Sequence, residues 1–204
     1  MKKLFLVSFF KDTANLFADF ESDLQGKTVT FIPTASLVER VVFYVSAAKK
    51  QFEKLGLVVD ELEITTAPEE EIISKLKNND FIYVAGGNTF YLLQELKRSG
   101  ADKLIADEVN AGKLYIGESA GAMIAAANIE YVKAMDSVKK APDLAEYTAL
   151  NMVDFFPVPH HKCPPFVKSA QSILDNYAAS LQLVPITNHD AIAVMGDKIE
   201  VIKG

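Results

Sequence analysis

Leu114-Tyr115-Ile116-Gly117-Glu118-Ser119-Ala120-Gly121-Ala122-Met123-Ile124-Ala125-Ala126-Ala127 joins an apolar run to an alanine-rich run through a G-x-S-x-G turn. The opening residues read as a buried strand, Leu114–Gly117, and the stretch Ala120–Asn128 reads as a helix. A strand that reverses sharply into a helix pushes the residue at the bend into a strained, exposed position. Gly117 and Gly121 suit that bend, because a Cβ would clash where the chain turns back. The helix is expected to aim its positive end and free N–H groups at Ser119 and at any oxyanion formed beside it. Tight strand–helix packing also produces Gly-x-x-x-Gly. The strand before and the helix after match the context that a nucleophilic serine requires.

On either side of this turn, short apolar runs alternate with helical patterns. The predicted strands are Leu4–Phe10, Val29–Ile32, Val58–Leu62, Phe81–Val84, Leu114–Gly117, Phe155–Val158, Leu183–Ile186 and Ala191–Met195. Several lack polar alternation, as strands covered on both faces do. The predicted helices are Leu37–Leu55, Pro68–Lys77, Thr89–Arg98, Ala120–Asn128 and Pro165–Ser180. In the first, Val41, Tyr44, Val45, Ala48 and Phe52 recur at helical spacing and predict a buried stripe. Repeated strand–helix units imply a mostly parallel, doubly wound α/β sheet with helices on both faces. The last strand and the residues through Ile202 read as a hairpin turning at Gly196-Asp197.

The chain has 204 residues and reads as one domain without linker or repeat. Its net charge of −6 argues against nucleic acid or an anionic membrane as partner. No stretch reaches transmembrane length, and the apolar start is too short and too soon followed by Lys11-Asp12 for a signal peptide. The only cysteine, Cys163, excludes an internal disulfide and suits a reducing cytoplasm.

Active sites of such sheets lie at the carboxyl ends of the strands. Ala85-Gly86-Gly87-Asn88-Thr89-Phe90, the Ser119 turn and Pro157-Val158-Pro159-His160-His161 all fall there. A serine hydroxyl needs an adjacent base, and His160 or His161 follows a strand that could present one. Gly86-Gly87 allows close backbone approach. The N–H groups of this pair would complete an oxyanion hole with that of Ala120, or the pair forms only a tight turn with Asn88 or Thr89 as N-cap. The glycine spacing does not fit a dinucleotide site, and His160, His161 and Cys163 match no common zinc motif, so no cofactor or metal is expected. His160 follows Ser119 by only about forty residues with much sheet still to come, which points away from the α/β-hydrolase order.

Gly86-Gly87-Asn88-Thr89-Phe90, Gly117-Glu118-Ser119-Ala120-Gly121-Ala122 and Pro159-His160, in this order, resemble the S51 serine peptidases, the family of dipeptidase E and cyanophycinase. Phe31-Ile32-Pro33-Thr34-Ala35 and the closing hairpin also fit, so the resemblance covers nearly the whole chain, residues 1–204. It implies a flavodoxin-like three-layer sandwich like that of class I glutamine amidotransferases, with serine where those enzymes carry cysteine. It implies Ser119 as nucleophile, His160 as base, and Gly87 and Ala120 as oxyanion donors. For the third member, the family's two acidic positions fall at Asp136 and within Thr187-Asn188-His189-Asp190. A gapless match puts Asn188 there, and Asp136 and Asp190 stand as rivals.

The implied activity is a cytoplasmic serine exopeptidase acting on short peptides, with homodimerisation left open. An esterase or amidase on the same site, and a non-catalytic binding or stress protein of the same fold, are the alternatives. No arginine follows His160 to hold an aspartyl side chain, and Glu118 stands where dipeptidase E carries tryptophan. Glu118 reads either as a solvated elbow residue or as a binding group for a substrate amine.

Overall fold

The computed structural model describes residues 1–204. Seven strands form the central sheet, in the order β3-β2-β4-β5-β1-β8-β9. These are β1 (Lys3–Val7), β2 (Thr28–Ile32), β3 (Val58–Glu61), β4 (Phe81–Val84), β5 (Leu114–Glu118), β8 (Ala191–Met195) and β9 (Lys198–Ile202). The first five run parallel. The predicted hairpin, β8 and β9, adds antiparallel to β1. Two predicted strands leave this sheet: β6 (Phe156–Val158) and β7 (Leu183–Pro185) pair only with each other, in parallel.

The unbroken apolar runs reflect burial on both faces. Successive residues of a strand point to opposite sides. Leu4, Leu6, Ile82, Val84 and Tyr115 therefore join one core, and Phe5, Val7, Phe81, Tyr83 and Ile116 join the other. Helices α1 (Phe10–Phe20) and α2 (Phe43–Lys54) cover the second face, where Phe10, Phe17 and Phe52 pack. Helices α3 (Glu69–Asn78), α4 (Thr89–Ser99) and α5 (Ala101–Ala111) cover the first, with Ile72, Phe90 and Ile105. The chain thus forms a three-layer α/β sandwich of flavodoxin type. The helices following β2 and β4 lie on opposite faces, so a crevice opens above the carboxyl ends of these neighbouring strands.

Several predicted boundaries shift for local reasons. The first strand ends at Val7, and Phe10 instead starts α1, an element the apolar run concealed. The predicted Leu37–Leu55 helix begins only at Phe43. Of its expected stripe, Ala48 and Phe52 are buried, whereas Val41 is 63% exposed. Helix α4 starts where predicted because Asn88 caps it, its side chain accepting the Tyr91 N–H at 2.9 Å. It stops at Gly100, whose φ of +74° suits glycine. The predicted Ala120–Asn128 helix is a single turn, α6 (Ala120–Met123), and α7 (Val167–Tyr177) is shorter than predicted.

Candidate active site

Ser119 stands between β5 and α6 with φ +50° and ψ −102°, a region that a non-glycine residue occupies only under strain. The fold over-determines it. The Ser119 N–H donates to the Val7 carbonyl at 2.9 Å, which ties the bend to the end of β1. A Cβ on Gly121 would lie 2.1 Å from the Val84 oxygen, and one on Gly117 would lie 2.5 Å from the Gly121 oxygen. Both glycines are therefore required by close backbone approach, as the turn motif predicts.

His160 reaches the serine from the loop after β6. Its Nε2 lies 3.0 Å from Ser119 Oγ, and its Nδ1 lies 2.8 Å from Asn188 Oδ1. With Nδ1–H donating to the amide oxygen, Nε2 accepts the Ser119 hydroxyl proton. Burial holds the imidazole pKa below its ordinary value, although the Asn188 bond works in the opposite direction. Ser8 fastens this loop to the sheet: its Oγ accepts the His160 N–H at 2.9 Å and donates to the Ile186 carbonyl at 3.2 Å. Nothing in the sequence singled out Ser8. No hydrogen bond joins the His161 ring to Ser119; the His161 N–H donates to the Ile186 carbonyl at 3.0 Å.

Neither rival carboxylate touches the imidazole. Asp136 accepts the Thr89 N–H at 2.8 Å and the Thr89 hydroxyl at 2.6 Å, so it closes the start of α4. Desolvation pushes it up to about 6 in spite of both bonds. Asp190 folds back on its own turn, accepting the Thr187 N–H at 2.9 Å and pairing with Lys203 at 3.0 Å. Its pKa stays below the usual carboxylate range: desolvation opposes this, and the Thr187 and Lys203 bonds outweigh it. The position beside the His160 ring is taken by Asn188, the residue that the gapless match puts at the acidic position. Its own N–H donates to Cys163 Sγ at 3.3 Å.

Ala120 follows Ser119 directly, and Gly87 lines the same cavity as Ser119. Gly87 has φ +137°, and a Cβ there would lie 2.1 Å from the Ala35 oxygen. A Cβ on the neighbouring Gly86 would lie 3.3 Å from Ser119 Cβ. The N–H groups of Gly87 and Ala120 donate to no protein acceptor. One helical turn carries little macrodipole, so any oxyanion support comes from these two donors individually.

Glu118 is the main surprise. It is 1% exposed rather than solvated. Strand alternation sends its side chain under the sheet toward α1, where it accepts the Phe10 N–H at 3.0 Å and the Tyr83 hydroxyl. Burial pushes it up to about 7.

A cavity of about 510 Å³ opens over Ser119 and His160. Phe9, Phe43 and Tyr44 form one wall, and Pro164, Pro165 and Phe166 another. Its charged lining is Glu39 and Asp136 against Lys140, with no arginine; Glu118 contributes to the lining, but its carboxyl is turned under the sheet.

Relatives fit this geometry. An uncharacterized peptidase of Listeria monocytogenes is 60% identical over 98% of this chain and 97% of its own. An uncharacterized peptidase of Pasteurella multocida is 55% identical over 100% of this chain and 98% of its own. Peptidase E of Shewanella amazonensis is 31% identical, over 64% of this chain and 52% of its own. A crystal structure from Listeria monocytogenes, provisionally described as a peptidase E protein, superposes with a TM-score of 0.96 at 59% identity, over 100% of this chain and 98% of that one. The sequence pattern of peptidase family S51 matches residues 4–202, and the chain belongs to that family as a serine-type peptidase.

Proposed function

We propose that the protein is a dipeptidase E-like serine exopeptidase that hydrolyses short peptides through an acyl-enzyme. The observation that carries this reading is the 3.0 Å contact between Ser119 Oγ and His160 Nε2 at the base of the cavity. As Ser119 Oγ bonds to the scissile carbonyl carbon, its proton passes to Nε2. The oxyanion accepts hydrogen bonds from the Gly87 and Ala120 N–H groups. Collapse breaks the C–N bond, and Nε2 returns the proton to the leaving amine. Water then attacks the acyl ester, giving its proton to Nε2, and the Ser119 oxygen leaves with that proton. Asn188 holds the Nδ1–H tautomer throughout.

The size of the cavity supports short substrates, and the carboxyls of Glu39 and Asp136 against the single Lys140 favour a free, cationic amino end. The absence of an arginine from the lining speaks against strict selection of an N-terminal aspartate. The lone Cys163 is compatible with a cytoplasmic setting, and no helix is long and apolar enough to cross a membrane. Incubating the purified protein with a library of free dipeptides and their N-acetylated counterparts tests the reading, with Ser119→Ala as control. Cleavage confined to free dipeptides and lost in the variant is expected. Preference for blocked peptides would overturn the exopeptidase reading.

A further inference from the structure

His160 is held between two neutral groups. Asn188 Oδ1 lies 2.8 Å from Nδ1, and the Phe166 ring lies over the imidazole face, with centroids 4.6 Å apart and planes inclined by 24°. In the proposed reaction this imidazole takes the Ser119 proton and becomes a buried cation. A Ser-His-Asp site stabilises that cation with a carboxylate. Here Asp136 is spent on Thr89, and Asp190 on Thr187 and Lys203. An amide oxygen orients the ring but brings no net charge to oppose the imidazolium. What remains against the ring is an aromatic face, whose quadrupole attracts a cation placed over it.

We propose that Phe166 is a positioning residue that replaces the missing carboxylate, its face fixing the plane of His160 and stabilising the imidazolium formed during turnover. The inference rests on the reading of Ser119 and His160 as nucleophile and base. The backbone explains how the ring gets there. The Cys163 N–H donates to the His160 carbonyl at 2.9 Å, and the Phe166 N–H donates to the Cys163 carbonyl at 3.0 Å. Two successive turns of three residues thus fold the chain back over the histidine that began it. The Phe166 carbonyl then accepts the Ala170 N–H at 2.9 Å, so the start of α7 anchors the far side. His160 itself has φ +59°, the left-handed conformation that starts this double turn.

A π face attracts a cation less strongly than a carboxylate at contact distance. The arrangement therefore supports the charge when the proton arrives without placing a fixed negative charge beside the ring.

The test reads the His160 titration midpoint by NMR in the whole protein. His161 and His189 are the only other histidines and serve as internal references. Wild type, Phe166→Leu, Phe166→Tyr and Phe166→Trp are compared, with the pH dependence of kcat and KM for a cleaved dipeptide. Phe166→Leu is expected to lower the His160 midpoint and to cut kcat about 3- to 30-fold, with KM moving less. Tyrosine and tryptophan should restore both, and the reference histidines should not move. Asn188→Asp should raise the midpoint and shrink the loss caused by Phe166→Leu. An unmoved midpoint in Phe166→Leu would overturn the proposal. So would an equal drop in the leucine and tryptophan variants, or an undiminished loss beside Asn188→Asp. If the leucine variant does not fold, the tryptophan variant alone decides: a midpoint at or above wild type supports the role, and one below it refutes it. The midpoint is read without turnover. Hydrolysis retained by Ser119→Ala would instead remove the serine reading itself, so the two failures are distinguishable.

Discussion

Ser119 holds a strained backbone that its surroundings, not its side chain, enforce. Ser119→Ala should therefore unfold within a few degrees of wild type while losing turnover by about a thousandfold or more. Thermal unfolding beside dipeptide hydrolysis checks this, and retained hydrolysis would defeat the serine mechanism. The partner of the base gives a sharper test. Asn188→Ala should lower kcat on the order of a hundredfold, because the imidazole loses the group that fixes its tautomer. Asp136→Asn and Asp190→Asn should cost far less, since neither side chain bonds the ring. A crippled Asp136→Asn with an active Asn188→Ala would reverse the assignment. The bend at Ser119 was legible because close backbone approach dictates Gly117 and Gly121, whereas the residues alone left His160 and His161 open and only the family resemblance singled out His160. The choice among Asp136, Asn188 and Asp190 was not legible. It depends on which side chain a loop turns inward. Asp190 is consumed by the Thr187 N–H of its own turn, and no sequence periodicity encodes that. Ser8 escaped notice for the same reason: its two bonds join loops 152 and 178 residues away.

At the scale of the elements, strand alternation decides what Glu118 does. Leu114, Ile116 and Glu118 share one face of β5, so the carboxyl before the nucleophile enters the phenylalanine-rich layer beneath α1. Burial raises it to about 7 from its ordinary value of 4.5, so the folded state binds this proton more tightly than the unfolded chain does. The stability it contributes is fully present below about pH 4.5 and is lost as pH rises through about 7. Glu118→Gln keeps an acceptor for the Phe10 N–H and removes the charge. Its melting temperature should exceed that of wild type at pH 8, with the advantage shrinking toward pH 5; a difference that does not change with pH would refute the account. The elbow's glycines act at this scale too. Gly121→Ala drives a Cβ into the Val84 carbonyl and should destabilise by about 3 kcal/mol or more, measured by denaturant unfolding. The alternation of strands and helices was legible because apolar runs report two-sided burial directly. Helix α1 was not, because Phe9-Phe10 prolongs the apolar run of β1. Its own stripe, Phe10, Ala14 and Phe17, has helical spacing that begins inside the apparent strand.

Across the whole molecule, the sheet brings loops from distant parts of the chain to one end, and the cavity is what they enclose. Glu39, from the segment after β2, and Lys140, from the segment after α6, meet there at 2.6 Å although they stand 101 positions apart in the chain. Both line the cavity, and both are about one-third exposed, so the pair bridges its rim. A partly exposed ion pair contributes little to global stability, about 0–1 kcal/mol. On the exopeptidase reading its larger effect is geometric, because it ties together two segments that line the cavity. Lys140→Ala should therefore leave the melting temperature within about 3 °C of wild type. Removing the tie should raise kcat/KM for tetra- and pentapeptides relative to dipeptides, by about two- to tenfold. Glu39→Ala should act in the same direction, and the double variant should add little beyond either single one, since both remove the same bridge. Kinetics on a ladder of free peptides of increasing length decide the matter. A length preference unchanged in all three variants would show that the bridge does not limit entry. Additive gains would show that the two residues act separately on the substrate.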